Sequence, residues 1–167
     1  MNMIPGLRIE SEYLPGSIGR ISEIHGTYYR EYWGFGIYFE AKVATELSEF
    51  LTRYEKSRDG IWLAVMDKRV EGSVIIDGID GGNKGAHLRW FILSDALRGK
   101  GVGRRLINRA IDFCRQKPYK KVYLWTFEGL DTARHLYESV GFKLVKQRSG
   151  NQWGAEVIEQ CFELNIG

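Results

Sequence analysis

Eight residues constrain the fold of this chain more than any others: Leu97-Arg98-Gly99-Lys100-Gly101-Val102-Gly103-Arg104. The run follows an apolar stretch, Ala86 to Leu93, that reads as a strand. It precedes an amphipathic helix in which Leu106, Ile107, Ala110, Ile111, Phe113 and Cys114 trace one stripe, with Arg105, Asn108, Arg109, Asp112 and Arg115 on the other side, stopping before Pro118. Glycines let backbone approach a ligand closely, and the first N–H groups of a helix have no partner within it. A strand, a glycine-rich bend and a helix N-terminus therefore form a cradle for an anion such as a pyrophosphate. Two nucleotide-binding patterns do not match. A GxGxxG fingerprint needs Gly at 104 or 106, where Arg104 and Leu106 stand, and a GxxxxGK[ST] loop needs Ser or Thr after the Lys, where Gly101 follows Lys100.

The other segments predict an α/β chain of mixed strand direction. Leu7 to Tyr13 reads as a strand ended by Pro15-Gly16, and Ser17 to Tyr32 as a helix whose face carries Ile18, Ile21, Ile24, His25, Tyr28, Tyr29 and Tyr32. Gly34 and Gly36 break it before a second helix from about Tyr38 to Tyr54, with Phe39, Val43, Leu47, Phe50 and Leu51 inward. Ile61–Met66 and Val70–Ile76 flank a tight hairpin at Asp67-Lys68-Arg69, and DGIDGGNKG from Asp77 reads as a turn or flexible loop. Val122–Thr126 predicts a strand, Leu130–Val140 a helix stopped by Gly141 with Leu130, Ala133, Leu136, Tyr137 and Val140 inward, and Lys143–Arg148 and Val157–Leu164 two closing strands. At 167 residues the length suits one ordinary domain, so residues 1–167 read as a single core.

Charge is distributed unevenly. Between Arg98 and Lys121 nine Lys or Arg face one acid, Asp112, a local balance of +8 that leaves −5 for the rest of a chain whose net charge is +3. A basic segment in an otherwise acidic chain points to an anionic partner there, a phosphorylated cofactor or a nucleic acid. No recognised nucleic-acid motif accompanies it, which makes nucleic acid the weaker partner. Cys114 and Cys161 form no CxxC pair and His25, His87 and His135 no HxxH spacing, so neither a disulfide framework nor a metal site is expected. No apolar run reaches the roughly 18 residues of a membrane span. The opening MNMIPGLRIE lacks the features of a secretory signal, so a cytoplasmic location is the default expectation.

Arg98-x-x-Gly101-x-Gly103 satisfies the pattern [Q/R]-x-x-G-x-[G/A], and with it the chain resembles the GNAT superfamily of acyl-CoA-dependent N-acyltransferases. The resemblance extends over the strand LRWFIL, the strand VYLWT and the segment Ala133-x-x-Leu136-Tyr137-x-x-x-Gly141-Phe142, four elements in order over roughly residues 86–146. More narrowly, GSIGRISEIHGTYYREYWGF and the closing WGAEVIEQCFEL resemble the acetyltransferase half of bacterial proteins that join a MarR-type winged-helix regulator to a GNAT domain; no winged-helix pattern precedes Leu7.

The resemblance implies a single-domain GNAT-like sheet of about seven strands flanked by about four helices, with the fourth and fifth strands, Leu88–Leu93 and Val122–Thr126, splayed apart. It implies acetyl-CoA as acyl donor, without a metal. Main-chain groups of Phe91, Ile92 and Leu93 would pair with the pantetheine arm, one N–H there polarising the thioester carbonyl. The pyrophosphate would rest on the amides of Gly99, Lys100, Gly101, Val102, Gly103 and Arg104, with Lys100 and Arg104 meeting phosphate charge; Arg98 and Ala133 complete the cofactor-binding set. Tyr137 takes the position that protonates the departing thiolate, while many relatives carry Asn where this chain has Leu130. For the general base Glu128, directly after the fifth strand, is the first candidate, with His87, His25 and water relays as alternatives. Cys114 faces inward, so direct transfer in a ternary complex is expected rather than an acyl-cysteine.

The first two helices cover the acceptor side in this superfamily. His25, Tyr28, Tyr29 and Tyr32 are the expected acceptor-binding residues, within a segment whose seven aromatics from Tyr28 to Phe39 could wall an amine, helped by Glu31 or Glu40. The expected partner is a small-molecule amine or an amino-acid-like acceptor, with a homodimer as the assembly common among relatives. The alternative reading is a catalytically weak module that senses acyl-CoA.

Overall fold

A computed structural model describes residues 4–167; Met1 to Met3, part of the segment read above against a secretory signal, lie outside the described residues. The chain runs β1 (Arg8–Glu10), α1 (Ser17–Trp33), α2 (Ile37–Thr52), β2 (Gly60–Met66), β3 (Arg69–Asp77), β4 (Ala86–Leu93), α3 (Val102–Arg115), β5 (Lys121–Phe127), α4 (Asp131–Ser139), β6 (Lys143–Gly150) and β7 (Val157–Asn165). One seven-stranded sheet holds them in the order β1-β2-β3-β4-β5-β7-β6. Every neighbouring pair is antiparallel except β4 and β5.

Helices cover both faces of the sheet, which is why β2 is apolar along its whole length rather than alternating. Trp62, Ala64, Val74 and Ile76 pack with the α3 stripe of Val102, Leu106, Ile107, Ala110 and Cys114. Their neighbours Ile61, Leu63, Val65 and Ile75 point the other way, onto Ile21 of α1 and Leu47 and Phe50 of α2. Glycine ends α1 as expected: Gly34 takes a left-handed φ of 70° and returns its N–H to the Arg30 carbonyl at 3.1 Å.

One expectation needs correction, and one open alternative is decided. The first strand, expected over Leu7–Tyr13, pairs only through Arg8–Glu10; Ser11, Glu12 and Tyr13 are exposed beyond it. The segment from Asp77 to Gly85 is a turn held by packing. Gly78 donates its N–H to buried Asp59 Oδ1 at 2.9 Å, and Gly78 and Gly81 lie so close to Tyr119 that a Cβ on either would clash.

The hairpin between β2 and β3 closes on Met66↔Arg69, with Asp67 and Lys68 both left-handed at φ 50° and 63°. Two such residues make a type I′ turn, which favours glycine at the second position. Lys68→Gly is expected to stabilise the protein by about 0.5–1 kcal/mol, since a left-handed non-glycine residue costs about that or more. A urea midpoint that falls would show that Lys68 makes a compensating contact.

Candidate active site

β4 and β5 pair only at Ala86↔Val122 and His87↔Tyr123. Beyond those residues the two strands diverge, leaving their facing main-chain edges open from Leu88 and Leu124 onward. A cleft of about 970 Å³ fills the gap. It opens to both sides of the sheet: Phe91, Leu93, Ala133, Leu136 and Tyr137 line it on the α3 and α4 side, and Tyr29, Phe39, Val43, Trp90, Phe127 and Trp153 on the α1 and α2 side.

A bulge in β4 shapes the middle of the cleft. Pairing with β3 slips between Ser73↔Ile92 and Ile75↔Arg89, so Trp90 and Phe91 together oppose Val74. Trp90 sits at φ 45°, and its carbonyl accepts a hydrogen bond from Ser73 Oγ at 2.6 Å. Bulges re-aim the groups that follow them, here the backbone of Phe91 and Ile92 at the point where β5 has parted from β4.

The glycine run forms the upper end. Gly99 and Gly101 are left-handed at φ 73° and 79°, and a Cβ on either would meet nothing within 4 Å, so the space above them is open. Gly103 is close-packed, its Cβ position 3.3 Å from the Phe91 ring. Gly101 caps α3 without a side-chain bond, and the first helix amides have no acceptor inside the helix. Those donors and the helix dipole fit an anion the size of a diphosphate. The bend is tied down from below, where Ser94 donates its N–H to the Glu71 carbonyl at 2.8 Å and its hydroxyl to the buried Glu71 carboxylate.

Several expected site residues stand where the cleft can use them. Phe91, Ile92, Leu93, Arg98, Gly99, Gly101, Gly103, Arg104 and Ala133 line it, as do His25, Tyr28, Tyr29, Tyr32 and Tyr137. Others do not. Val102 is fully buried in the α3 core, which leaves only its amide for a ligand, and Lys100 is exposed outside the lining with Nζ on the Ala96 carbonyl at 3.0 Å. Arg98 lies over the Tyr28 ring at 4.2 Å, donates to the Leu93 carbonyl at 2.6 Å and pairs with Asp95, so its charge is spent joining α1 to the bend. Glu128 is exposed and absent from the lining; it lies in the turn that follows β5, its N–H bonded to the Ile158 carbonyl at 2.9 Å. Glu31 and Glu40 do not line it either.

Two hydroxyls and a buried imidazole face the cleft. The hydroxyls of Tyr29 and Tyr137 make no hydrogen bond to any described residue, yet among the described residues the only sealed and unpartnered side-chain polar atom is Ser22 Oγ. They therefore open onto the cavity. Burial raises the pKa of both, with the Tyr137 charge adding to the rise at Tyr29. His25 Nδ1 bonds the Ile21 carbonyl at 2.8 Å and so carries the proton of the neutral ring; burial lowers its pKa to about 4. A folded pKa below the unfolded 6.5 means that the unfolded chain binds the extra proton first, so this stabilisation is complete above pH 6.5 and is lost between pH 6.5 and about 4. Urea unfolding is expected to show stability falling across that window by up to about 1.4 kcal/mol per pH unit from this group, a slope that His25→Gln should reduce.

Sequence reasoning missed a charged group on the α2 side: Lys42, Glu46 and Arg89 line the cleft next to His87. Arg89 Nη2 lies 2.6 Å from Glu46, and Lys42 Nζ lies 2.5 Å from the same carboxylate. His87 stacks on Tyr123 with ring centroids 4.5 Å apart, and burial, with Arg89 adding to it, lowers its pKa to about 3. The i, i+4 spacing of Lys42 and Glu46 was visible, but it reads equally as a solvated helix face. Among the described residues no group of three or more His, Cys, Asp or Glu could hold a metal, and no helix is long and apolar enough to cross a membrane.

Comparison with known proteins agrees with this geometry. An acetyltransferase of the GNAT family from Staphylococcus aureus superposes with a TM-score of 0.75 at 16% identity, covering 96% of this chain and 99% of that one. A GNAT family acetyltransferase from Elizabethkingia anophelis, determined with acetyl-CoA bound, gives 0.67 at 15% identity over 97% of this chain and 99% of its own. In sequence, N-acetylaspartate synthetase of Xenopus tropicalis is 30% identical over 109 residues, 65% of this chain but 40% of the relative. The chain thus spans about two fifths of the length of that curated relative. Residues 19–142, most of the chain and every element that builds the cleft except the β6–β7 loop, match the Acetyltransferase (GNAT) family, and the chain belongs to that family.

Proposed function

We propose that this chain is an acetyl-CoA-dependent N-acetyltransferase that moves an acetyl group to the primary amine of a small molecule or amino acid by direct attack in a ternary complex. The observation that carries the reading is the junction of the glycine cradle with the parted strands in one cleft open on both sides of the sheet. The resemblance to regulator fusions adds nothing this reading needs. Relatives named N-acetylaspartate synthetase favour an amino acid among the acceptors.

Bound in the cleft, acetyl-CoA supplies an acetyl group activated as a thioester. The amides from Gly99 to Arg104 hold the diphosphate, and the free edges of β4 and β5 pair with the amides of the arm as a third strand would. An N–H just after the Trp90 bulge polarises the carbonyl. Acetyl transfer forms a C–N bond at the carbonyl carbon and breaks the C–S bond. The nitrogen's proton leaves to water in the cleft, and the Tyr137 hydroxyl gives its proton to the departing sulfur, recovering it afterwards from solvent. Burial keeps the hydroxyl protonated at neutral pH, the state this step requires.

A thiol-release assay with acetyl-CoA against amines, amino acids, polyamines and peptides tests the reading. Thiol release matched by N-acetylated product is the expected result. Acetyl-CoA binding without release for any acceptor would leave the sensor reading, and absence of binding would overturn both.

A further inference from the structure

We infer that the α2 end of the cleft selects an acceptor amine that also carries a carboxylate, with Lys42 and Arg89 as the residues that read it. The inference rests on the acetyltransferase reading above and names the class of acceptor. At the α2 end the charged residues lining the cleft are Lys42, Glu46 and Arg89, while Arg98 lies over Tyr28 of α1. Both cations share the single Glu46 carboxylate, at 2.5 and 2.6 Å. Arg89 also reaches Asp77 at 3.3 Å, but Asp77 is 3% exposed and already holds Arg53 through two hydrogen bonds of 3.0 and 2.6 Å. Three cations on two carboxylates leave a surplus of one positive charge, and the cleft sees it because Arg53 stands outside the lining while Lys42 and Arg89 form part of it.

The surplus is held in place. The Arg89 guanidinium lies 4.1 Å over the Trp90 ring, and that ring is fixed by the bulge that also aims the reactive part of β4. Lys42 has three N–H donors and forms its one ion pair among the described residues with Glu46. Phe39 and Val43, from the same helix face, border the charged group with apolar surface, where a charge-assisted bond is stronger than in water. His87 adds no charge of its own: burial keeps it neutral at physiological pH. A second ammonium on the acceptor, as in a polyamine, would meet two cations and one carboxylate already shared; a carboxylate would complete the set.

The test compares acceptors that differ only in charge, L-aspartate with L-asparagine and L-alanine with L-alaninamide, by calorimetry on the full chain in the presence of coenzyme A and by kcat/KM with acetyl-CoA. The carboxylate member of at least one pair is expected to be favoured by about tenfold or more, the range of one charge-assisted bond. Lys42→Met should cut that preference by about tenfold, and Glu46→Gln, which removes the competing carboxylate, should enlarge it. A merely structural cluster would leave the preference untouched in both variants. Equal binding of both members in both pairs, or a preference unmoved in a Lys42→Met protein of normal circular dichroism, would overturn the inference. A carboxylate preference in binding without thiol release from any amine would support the inference and sink the acetyltransferase reading.

Discussion

Gly101→Glu is expected to lower acetyl-CoA affinity by about a hundredfold or more, measured by calorimetry, in a protein that still folds. Gly101 occupies a left-handed conformation at the N-cap of α3, and a Cβ there meets no atom within 4 Å. The new side chain therefore grows into the cradle and not into the core. Its backbone strain costs about 1–2 kcal/mol, which a domain of ordinary stability, about 5–15 kcal/mol, survives. In the cradle its carboxylate takes the helix amides that the diphosphate would use and repels the phosphates; a hundredfold loss corresponds to about 2.7 kcal/mol. Gly101→Ala carries the same strain without the charge and should lose far less. Unchanged affinity in the glutamate variant would place the diphosphate elsewhere.

Tyr137→Phe is expected to lower kcat by about a hundredfold or more while the KM for acetyl-CoA changes by less than about threefold, within the range that general-acid groups contribute. The ring packs among Phe91, Phe142 and Phe162 with centroids 6.0, 6.0 and 6.2 Å away, and phenylalanine keeps those contacts. Only the hydroxyl, which has no partner among the described residues, is lost. Because burial holds its pKa above the ordinary phenol value, its titration should not set the alkaline limb of the rate profile near neutrality. An unaltered kcat would assign Tyr137 to packing alone.

Much of the fold was legible because the signals that encode it are short-range. The order of eleven elements, the α3 stripe ending at Cys114, the stop at Gly34 and the turn at Asp67-Lys68 follow from periods of two and 3.6 residues and from the chemistry of single positions. The cradle was legible for the same reason, since Gly99 to Gly103 builds it from consecutive residues. The position of Glu128 was not legible, because proximity to the end of β5 does not say how the following turn directs a side chain; Phe127 and Gly129 line the cleft and Glu128 between them does not. Arg98 was expected in the cofactor-binding set and does line the cleft, but its stacking on Tyr28 spans seventy positions and depends on α1 crossing the sheet beside the bend.

The amino-acid sequence by itself determined the elements, their order and the glycine bend, because hydrogen bonds four residues apart and side-chain alternation are decided within a few residues. Tertiary structure alone decided where β4 and β5 part, how β3 and β4 slip by one residue at Trp90, and that Lys42, Glu46 and Arg89 meet at one wall of the cleft. Those outcomes depend on strand register and on packing between segments more than forty residues apart, and no local pattern of residues carries that information.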